Sequence, residues 1–139
     1  MGLYSYNILP INFCDYLINL YETDTGNHER VDKESKPTFT QLNLNKYHAN
    51  VVSNLCNYFS VALDFYKKDV PQAKYLPQVK YLEEFRIKKY AVGGQDRFDE
   101  HVDVVNHNSS RRCLAMLFYL NDIDSGGKTV FPYQNKEFT

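Results

Sequence analysis

The hydrophobic period of this chain changes once, between Pro71 and Pro77, and that change limits the folds open to it. Before the prolines, apolar residues recur at helical spacing; after them they alternate or run continuously, as strands do. Ile11, Cys14, Leu17, Ile18 and Tyr21 mark one face of an amphipathic helix, with Asn12 placed to cap its first turn. From Asn45 to Lys68, the positions Val51, Val52, Leu55, Phe59, Ala62, Leu63 and Tyr66 mark one face of a longer helix. Between these two, Glu22 to Pro37 is rich in Asp, Thr, Gly, Asn, Lys and Ser and has no period, which predicts an exposed loop.

Beyond Pro77, Phe85 and Ile87 alternate with Glu84, Arg86, Lys88 and Tyr90, so a sheet begins here. Cys113 to Leu120, CLAMLFYL, is almost continuously apolar. It is short for a helix and is bounded by Arg111-Arg112 and by the turn-rich stretch Asn121 to Gly127, which predicts a strand buried on both faces. Thr129-Val130-Phe131 opens another short strand, closed by Pro132. Helices followed by strands predict an α+β domain with the helices packed outside the sheets, residues 1–80 forming the helical part and 81–139 the sheet part. At 139 residues with 43% hydrophobic positions, the chain has enough apolar side chains for one domain with a core.

Charge excludes some functions. The 16 basic and 17 acidic residues are interspersed, so there is no basic stripe of the kind that binds duplex nucleic acid. No apolar run approaches the length of a membrane span. Cys14, Cys56 and Cys113 are scattered within apolar stretches, which predicts buried free thiols in a reducing compartment. The first residues carry no positive region followed by an apolar block, and a cytoplasmic protein is expected.

The segment that carries chemistry runs from Tyr90 to Asp103. If His101 to Asp103 is extended, residues i and i+2 project from one face, and an imidazole meets a carboxylate. That is two thirds of a facial iron(II) site, which a second, distant His completes while the opposite positions stay open. An isolated His-x-Asp is weak evidence, since a surface His beside a solvated acid has the same spelling. His107 lies in an Asn/Ser-rich stretch that reads as a loop, and His28 and His48 have no acidic or thiol neighbour at ligand spacing.

The order matters more than the pair: Tyr90-x-x-Gly93-Gly94, then His101-x-Asp103, then Arg111-Arg112 and a strand ending Phe118-Tyr119-Leu120-Asn121-Asp122, then Gly126-Gly127-Lys128-Thr129-Val130-Phe131-Pro132. This set, from about Tyr81 to Pro132, closely resembles the iron(II)- and 2-oxoglutarate-dependent dioxygenases of the prolyl 4-hydroxylase-like group. The resemblance implies a double-stranded β-helix, or jelly-roll, holding metal and co-substrate between its two sheets. It implies His101 and Asp103 as iron ligands, and Tyr90, Tyr119 and Thr129 as residues lining the 2-oxoglutarate pocket. Packing alone would also account for either tyrosine, since the chain has twelve.

The implied reaction couples decarboxylation of 2-oxoglutarate by O2 to hydroxylation of a C–H bond, releasing succinate and CO2, with L-ascorbate as the accompanying reductant. Prolyl residues of a peptide are the substrate that the family implies; free amino acids, other peptides and nucleobases are alternatives. The family's second iron-binding His, and the Lys or Arg after it that holds the far carboxylate of 2-oxoglutarate, have no counterpart up to Thr139. A fragment lacking its C-terminal strands, inactive by itself, is therefore expected. A non-catalytic jelly-roll binding domain is the alternative. A phosphate-binding loop at Gly127-Lys128-Thr129 is disfavoured, because Asp122 stands where that motif needs Gly and Pro132 follows where it needs a helix.

Overall fold

Pro10, not Asn12, begins the first helix. In the computed structural model, which describes residues 2–93 and 95–138, Pro10 occupies the N-cap of α1 (Ile11–Thr23) with extended backbone at φ −63°, ψ 144°. Asn12 lies inside the first turn, where a cap side chain has no role. The helix buries Cys14, Leu17 and Tyr21, as its spacing predicts, while Ile11 stays 78% exposed at the frayed end.

The helix expected from Asn45 divides in two. Asn43 caps α2 (Leu44–Tyr47) by accepting the Lys46 N–H at 3.1 Å; His48 at φ −138° breaks the path, and α3 runs over Ala49–Asp69. Val51, Leu55, Ala62 and Tyr66 turn inward at helical spacing, and the helix gives way to a 3-10 turn beginning at Pro71.

The stretch read as a loop contains a hairpin instead. β1 (Glu29–Lys33) and β2 (Lys36–Asn43) pair antiparallel and reverse at Glu34-Ser35, both at positive φ, 50° and 63°. Its period is hidden because β1 is an edge strand covered on neither face, and charged residues are what such an edge carries. β2 is the central strand, burying Thr38, Phe39, Leu42 and Asn43, and β3 (Arg86–Lys89) joins its other edge with Leu42 opposite Ile87 and Gln41 opposite Lys88. A separate hairpin links β4 (Thr129–Phe131) to β5 (Lys136–Phe138) through Asn135 at φ 51°.

One apolar cluster joins helices to the sheet: Leu17 and Tyr21 from α1, Leu42 from β2, Leu44 from α2, Val51 and Leu55 from α3, with Phe85, Ile87, Phe118 and Leu120 packed against it. A second gathers Tyr66, Val70 and Ala73, with Tyr6, Leu76 and Leu114 at its margin. The N-terminal segment straps α3, Tyr6 Oη donating to Asp69 at 2.6 Å and Tyr66 Oη to the Gly2 carbonyl at 3.2 Å.

The run CLAMLFYL departs from expectation. It is in no strand, and only its even positions Leu114, Met116, Phe118 and Leu120 are half-buried, while Cys113, Ala115, Leu117 and Tyr119 are exposed. This two-residue alternation is that of an extended segment with one face on the core and no sheet over the other. Cys113, expected to be buried, is exposed for the same reason; Cys14 is buried, Cys56 is intermediate, and all three are free thiols. The architecture is thus mixed helix and sheet, as the α+β expectation has it, with one three-stranded and one two-stranded sheet among the described residues. Among these residues no helix is long and apolar enough to cross a membrane.

Candidate metal centre

β3 alternates, so Arg86 and Lys88, with Tyr90 just beyond the strand, share a face, and Lys88 and Tyr90 lie against Phe39 of β2. The Tyr90 ring meets Phe39 edge-on at 5.6 Å and Lys88 Nζ lies 4.5 Å over the same ring. The chain then turns at Gly93, where φ is +66°; Gly94, the second glycine of the predicted motif, lies outside the described residues.

The segment beyond this turn is stitched to the β1–β2 hairpin. Asp96, its side chain only 7% exposed, takes both guanidinium nitrogens of Arg30, at 2.6 and 3.0 Å, and the Ala91 N–H at 2.9 Å. The Arg97 N–H donates to the Pro37 carbonyl at 3.3 Å. Phe98 packs on Phe39 at 5.8 Å and carries the His101 ring at 4.2 Å. Hydrogen bonds from Arg30 first, then the Ala91 N–H, hold the Asp96 carboxyl down at about 2. A depressed carboxylate stabilises the fold above the ordinary range near about 4 and loses that contribution as pH falls toward its folded value. Comparing Asp96→Asn with the parent in urea should therefore give a constant stability gap above about pH 5, closing steadily between about pH 4 and 2. A gap unchanged across that window would show that the Arg30 pair adds no stability.

Two contacts then place the pair. His101 Nδ1 lies 2.9 Å from the Asp99 carbonyl, which can only accept, so Nδ1 carries the hydrogen. Asp99 is itself held by Arg97 at 2.6 Å and Lys36 at 3.3 Å, and these, Arg97 first, lower its pKa. Arg112 fastens Asp103 from the other side, donating Nη1 to the Asp103 carbonyl at 2.8 Å while Nε and Nη2 grip Glu83 at 2.5 and 3.1 Å.

The result is His101 Nε2 3.3 Å from Asp103 Oδ1, with side chains 42% and 51% exposed. In a neutral ring whose Nδ1 bears the hydrogen, Nε2 offers a lone pair, and the carboxylate offers only lone pairs. With the ring neutral, two acceptors this close are reconciled by a cation between or beside them; with the ring protonated, Nε2 would instead donate to Oδ1 as an ion pair. Bonds of about 2.0–2.2 Å from a divalent cation to neighbouring N and O donors place those donors about 3 Å apart, so the pair fits such an ion. The two ligands predicted from the sequence are thus adjacent, although His101 and Val102 lie in irregular backbone and Asp103 in a bend, not on the strand that was expected. Among the described residues no group of three or more His, Cys, Asp and Glu side chains is placed to hold a metal.

Two of the other predicted site residues meet each other. Tyr119 Oη lies 2.6 Å from Thr129 Oγ1, joining the end of the CLAMLFYL segment to β4. Burial foremost, then the neighbouring Tyr119 and Asp96, raise the Tyr90 pKa and keep the phenol a donor. His107 lies in a turn whose carbonyl accepts Ser110 Oγ at 2.6 Å, as its loop composition predicts. His48 Nε2 meets Asp24 Oδ2 at 2.6 Å although the two are 24 residues apart in sequence, while His28 Nε2 lies 2.8 Å from the Tyr21 carbonyl, so both histidines tie the end of α1 to its surroundings. Sequence reading missed Arg30, Asp96, Phe98 and Arg112 as the parts that hold the site. Only the Arg111-Arg112 pair was legible, as one part of the ordered motif.

Neither a family model nor a solved structure matches the chain. Curated proteins do. The chain is 37% identical over 79 residues to probable prolyl 4-hydroxylase 9 of Arabidopsis thaliana, covering 53% of this chain and 26% of that protein. Against probable prolyl 4-hydroxylase 3 of the same plant it is 26% identical over an alignment of 148 positions, covering 96% and 46%. To its prolyl 4-hydroxylase 13 it is 32% identical over 60 residues, covering 40% and 21%. The chain spans less than half the length of these relatives, and its similarity is to proteins named prolyl 4-hydroxylases, at modest identity.

Proposed function

We propose that this chain belongs to the prolyl 4-hydroxylase-like dioxygenases and supplies the His-x-Asp part of their iron(II) centre. The observation that carries the reading is the 3.3 Å approach of His101 Nε2 to Asp103 Oδ1 with Nδ1 turned away to a carbonyl. The names of the curated relatives support it. A double-stranded β-helix is the fold we infer around the pair.

Iron(II), when bound, supplies the oxidising chemistry that hydroxylates an unactivated C–H bond, with 2-oxoglutarate and O2 as co-substrates and ascorbate keeping the metal reduced. The chain's own part is to hold and orient. The Asp99 carbonyl fixes the ring with Nε2 left free, so that His101 would hold the metal through Nε2, and Arg112 fixes the backbone of Asp103, whose carboxylate would be the second ligand. Tyr119 donates to Thr129 Oγ1, which leaves the threonine hydrogen free to donate to a carboxylate of 2-oxoglutarate; Tyr90 offers a second phenol. The substrate we infer is a peptide carrying a prolyl residue, by analogy with the relatives.

Succinate formation by the full-length protein, with 2-oxoglutarate, ascorbate and a prolyl peptide, should depend on added iron(II). Its absence at saturating iron would leave a non-catalytic binding domain. Tyr119→Phe keeps the ring and removes one donor, and 2-oxoglutarate should bind about 5- to 150-fold more weakly, equivalent to about 1–3 kcal/mol. Equal dissociation constants would make Tyr119 a packing residue.

A further inference from the structure

Arg112 has two carboxylates within its reach. Its Nε and Nη2 grip the two oxygens of Glu83, at 2.5 and 3.1 Å, while Nη1 donates to the main-chain carbonyl of Asp103 at 2.8 Å. The Asp103 carboxylate hangs from the residue whose carbonyl the guanidinium already holds, and its side chain is 51% exposed. A guanidinium carries its donors in a fixed fork and stays charged at any pH a protein meets, so it is as fit to clasp Asp103 as to clasp Glu83. Which of the two holds it decides whether the Asp103 carboxylate is open to a divalent cation or already neutralised.

Glu83 is placed by the residues that follow it. Glu84 Oε2 accepts the Asn43 side-chain amide at 2.9 Å, Asn45 Oδ1 accepts the Phe85 N–H at 2.7 Å, and the Leu44 N–H donates to the Phe85 carbonyl at 2.9 Å. This segment is thus tied to α2 and its cap, away from the stretch that carries His101 and Asp103. Arg86, the neighbouring guanidinium, is taken by Glu84 and does not compete for Glu83. Among the described residues, the Glu83 side chain pairs with Arg112 alone.

We propose that Glu83 is a positioning residue that keeps the Arg112 guanidinium off the Asp103 carboxylate, leaving that carboxylate to the metal while Nη1 steadies the Asp103 backbone. This rests on the reading of His101 and Asp103 as metal ligands for its purpose, but the contacts themselves need no metal. One arginine thereby has two possible roles. With Glu83 in place it supports Asp103 through the main chain; without Glu83, the freed edge of the fork turns onto the Asp103 carboxylate and competes with the cation. A plain brace behaves differently: if Glu83 only steadied Arg112, removing Glu83 would harm metal binding no more than removing Arg112.

The test is a double-mutant cycle on the full-length protein, read in two ways. Mn(II) affinity, followed by the electron paramagnetic resonance of the free ion, should be about two- to fivefold weaker in Glu83→Ala than in Arg112→Met, and Glu83→Ala/Arg112→Met should return to the value of Arg112→Met alone. Glu83→Asp keeps the charge and should stay near the parent. In the chelator-treated protein, the Asp103 carboxyl carbon and Arg112 Nε–H resonances should both move in Glu83→Ala, and the Asp103 movement should vanish in the double variant. Glu83→Ala binding Mn(II) no more weakly than Arg112→Met, or an Asp103 carboxyl resonance that does not respond to Glu83→Ala, would overturn the proposal. Absence of Mn(II) binding by the parent would reject the metal reading instead, and the carboxyl resonance would then decide whether Glu83 holds Arg112 away. The Glu83 side chain is 64% exposed and outside the apolar clusters, so its removal should leave the fold intact. Should Arg112→Met fail to fold, Arg112→Gln takes its place in the cycle.

Discussion

Iron(II) affinity of the full-length protein should fall by more than about 100-fold in His101→Ala and in Asp103→Ala, with succinate formation lost. Contacts that merely orient a ligand are worth about 10- to 100-fold, so removing a ligand must exceed that. Neither change should unfold the chain: both side chains are about half exposed, and neither belongs to the apolar clusters. Asp103→Asn is the sharper variant, because it keeps the shape and removes the charge that a cation requires. Anaerobic metal titration read beside circular dichroism distinguishes ligand loss from unfolding. Parent-like affinity in both Ala variants would mean that the 3.3 Å approach is only a surface contact.

The second large effect concerns stability. Leu42 is fully buried near the C-terminal end of β2, opposite Ile87, in the cluster shared by α1, α2 and α3. Leu42→Ala should cost about 2–5 kcal/mol, the transfer of the lost methyls plus the cavity they leave. For a domain whose whole stability is about 5–15 kcal/mol, that brings unfolding within reach. Urea denaturation should show a lower midpoint with an unchanged slope. A loss under about 1 kcal/mol would mean that the helices can close over the gap, and that the sheet beneath the site is less tightly packed than its burial indicates.

The helices were legible because a buried stripe at helical spacing leaves the same trace whether or not the partner surface is known; Leu17, Leu55 and Tyr66 all turned inward. The β1–β2 hairpin was not, since an edge strand of Glu, Arg, Asp and Lys spells like a loop until Phe39 and Leu42 find their neighbours. The burial of CLAMLFYL was half right: its inner residues meet the core, and continuous hydrophobicity does not say whether a second sheet covers the outer ones. His101 and Asp103 were readable because two residues at i and i+2 need little else to meet. Their supports were unreadable, because Arg30 and Asp96 are 66 residues apart and Arg112 and Glu83 are 29 apart, and neither spacing has any local signature.

The grip of Arg30 on Asp96 also bears on what could be transplanted. A peptide spanning Tyr90 to Asp103 would carry both donor side chains to a new scaffold, yet leave behind the guanidinium, the Pro37 carbonyl and the Phe39 floor on which that segment rests. A portable form of the motif is discontinuous: the hairpin of residues 29–43, residues 83–103 and Arg112, grafted as one body. A designer who moved the donors alone would inherit their spelling without their spacing.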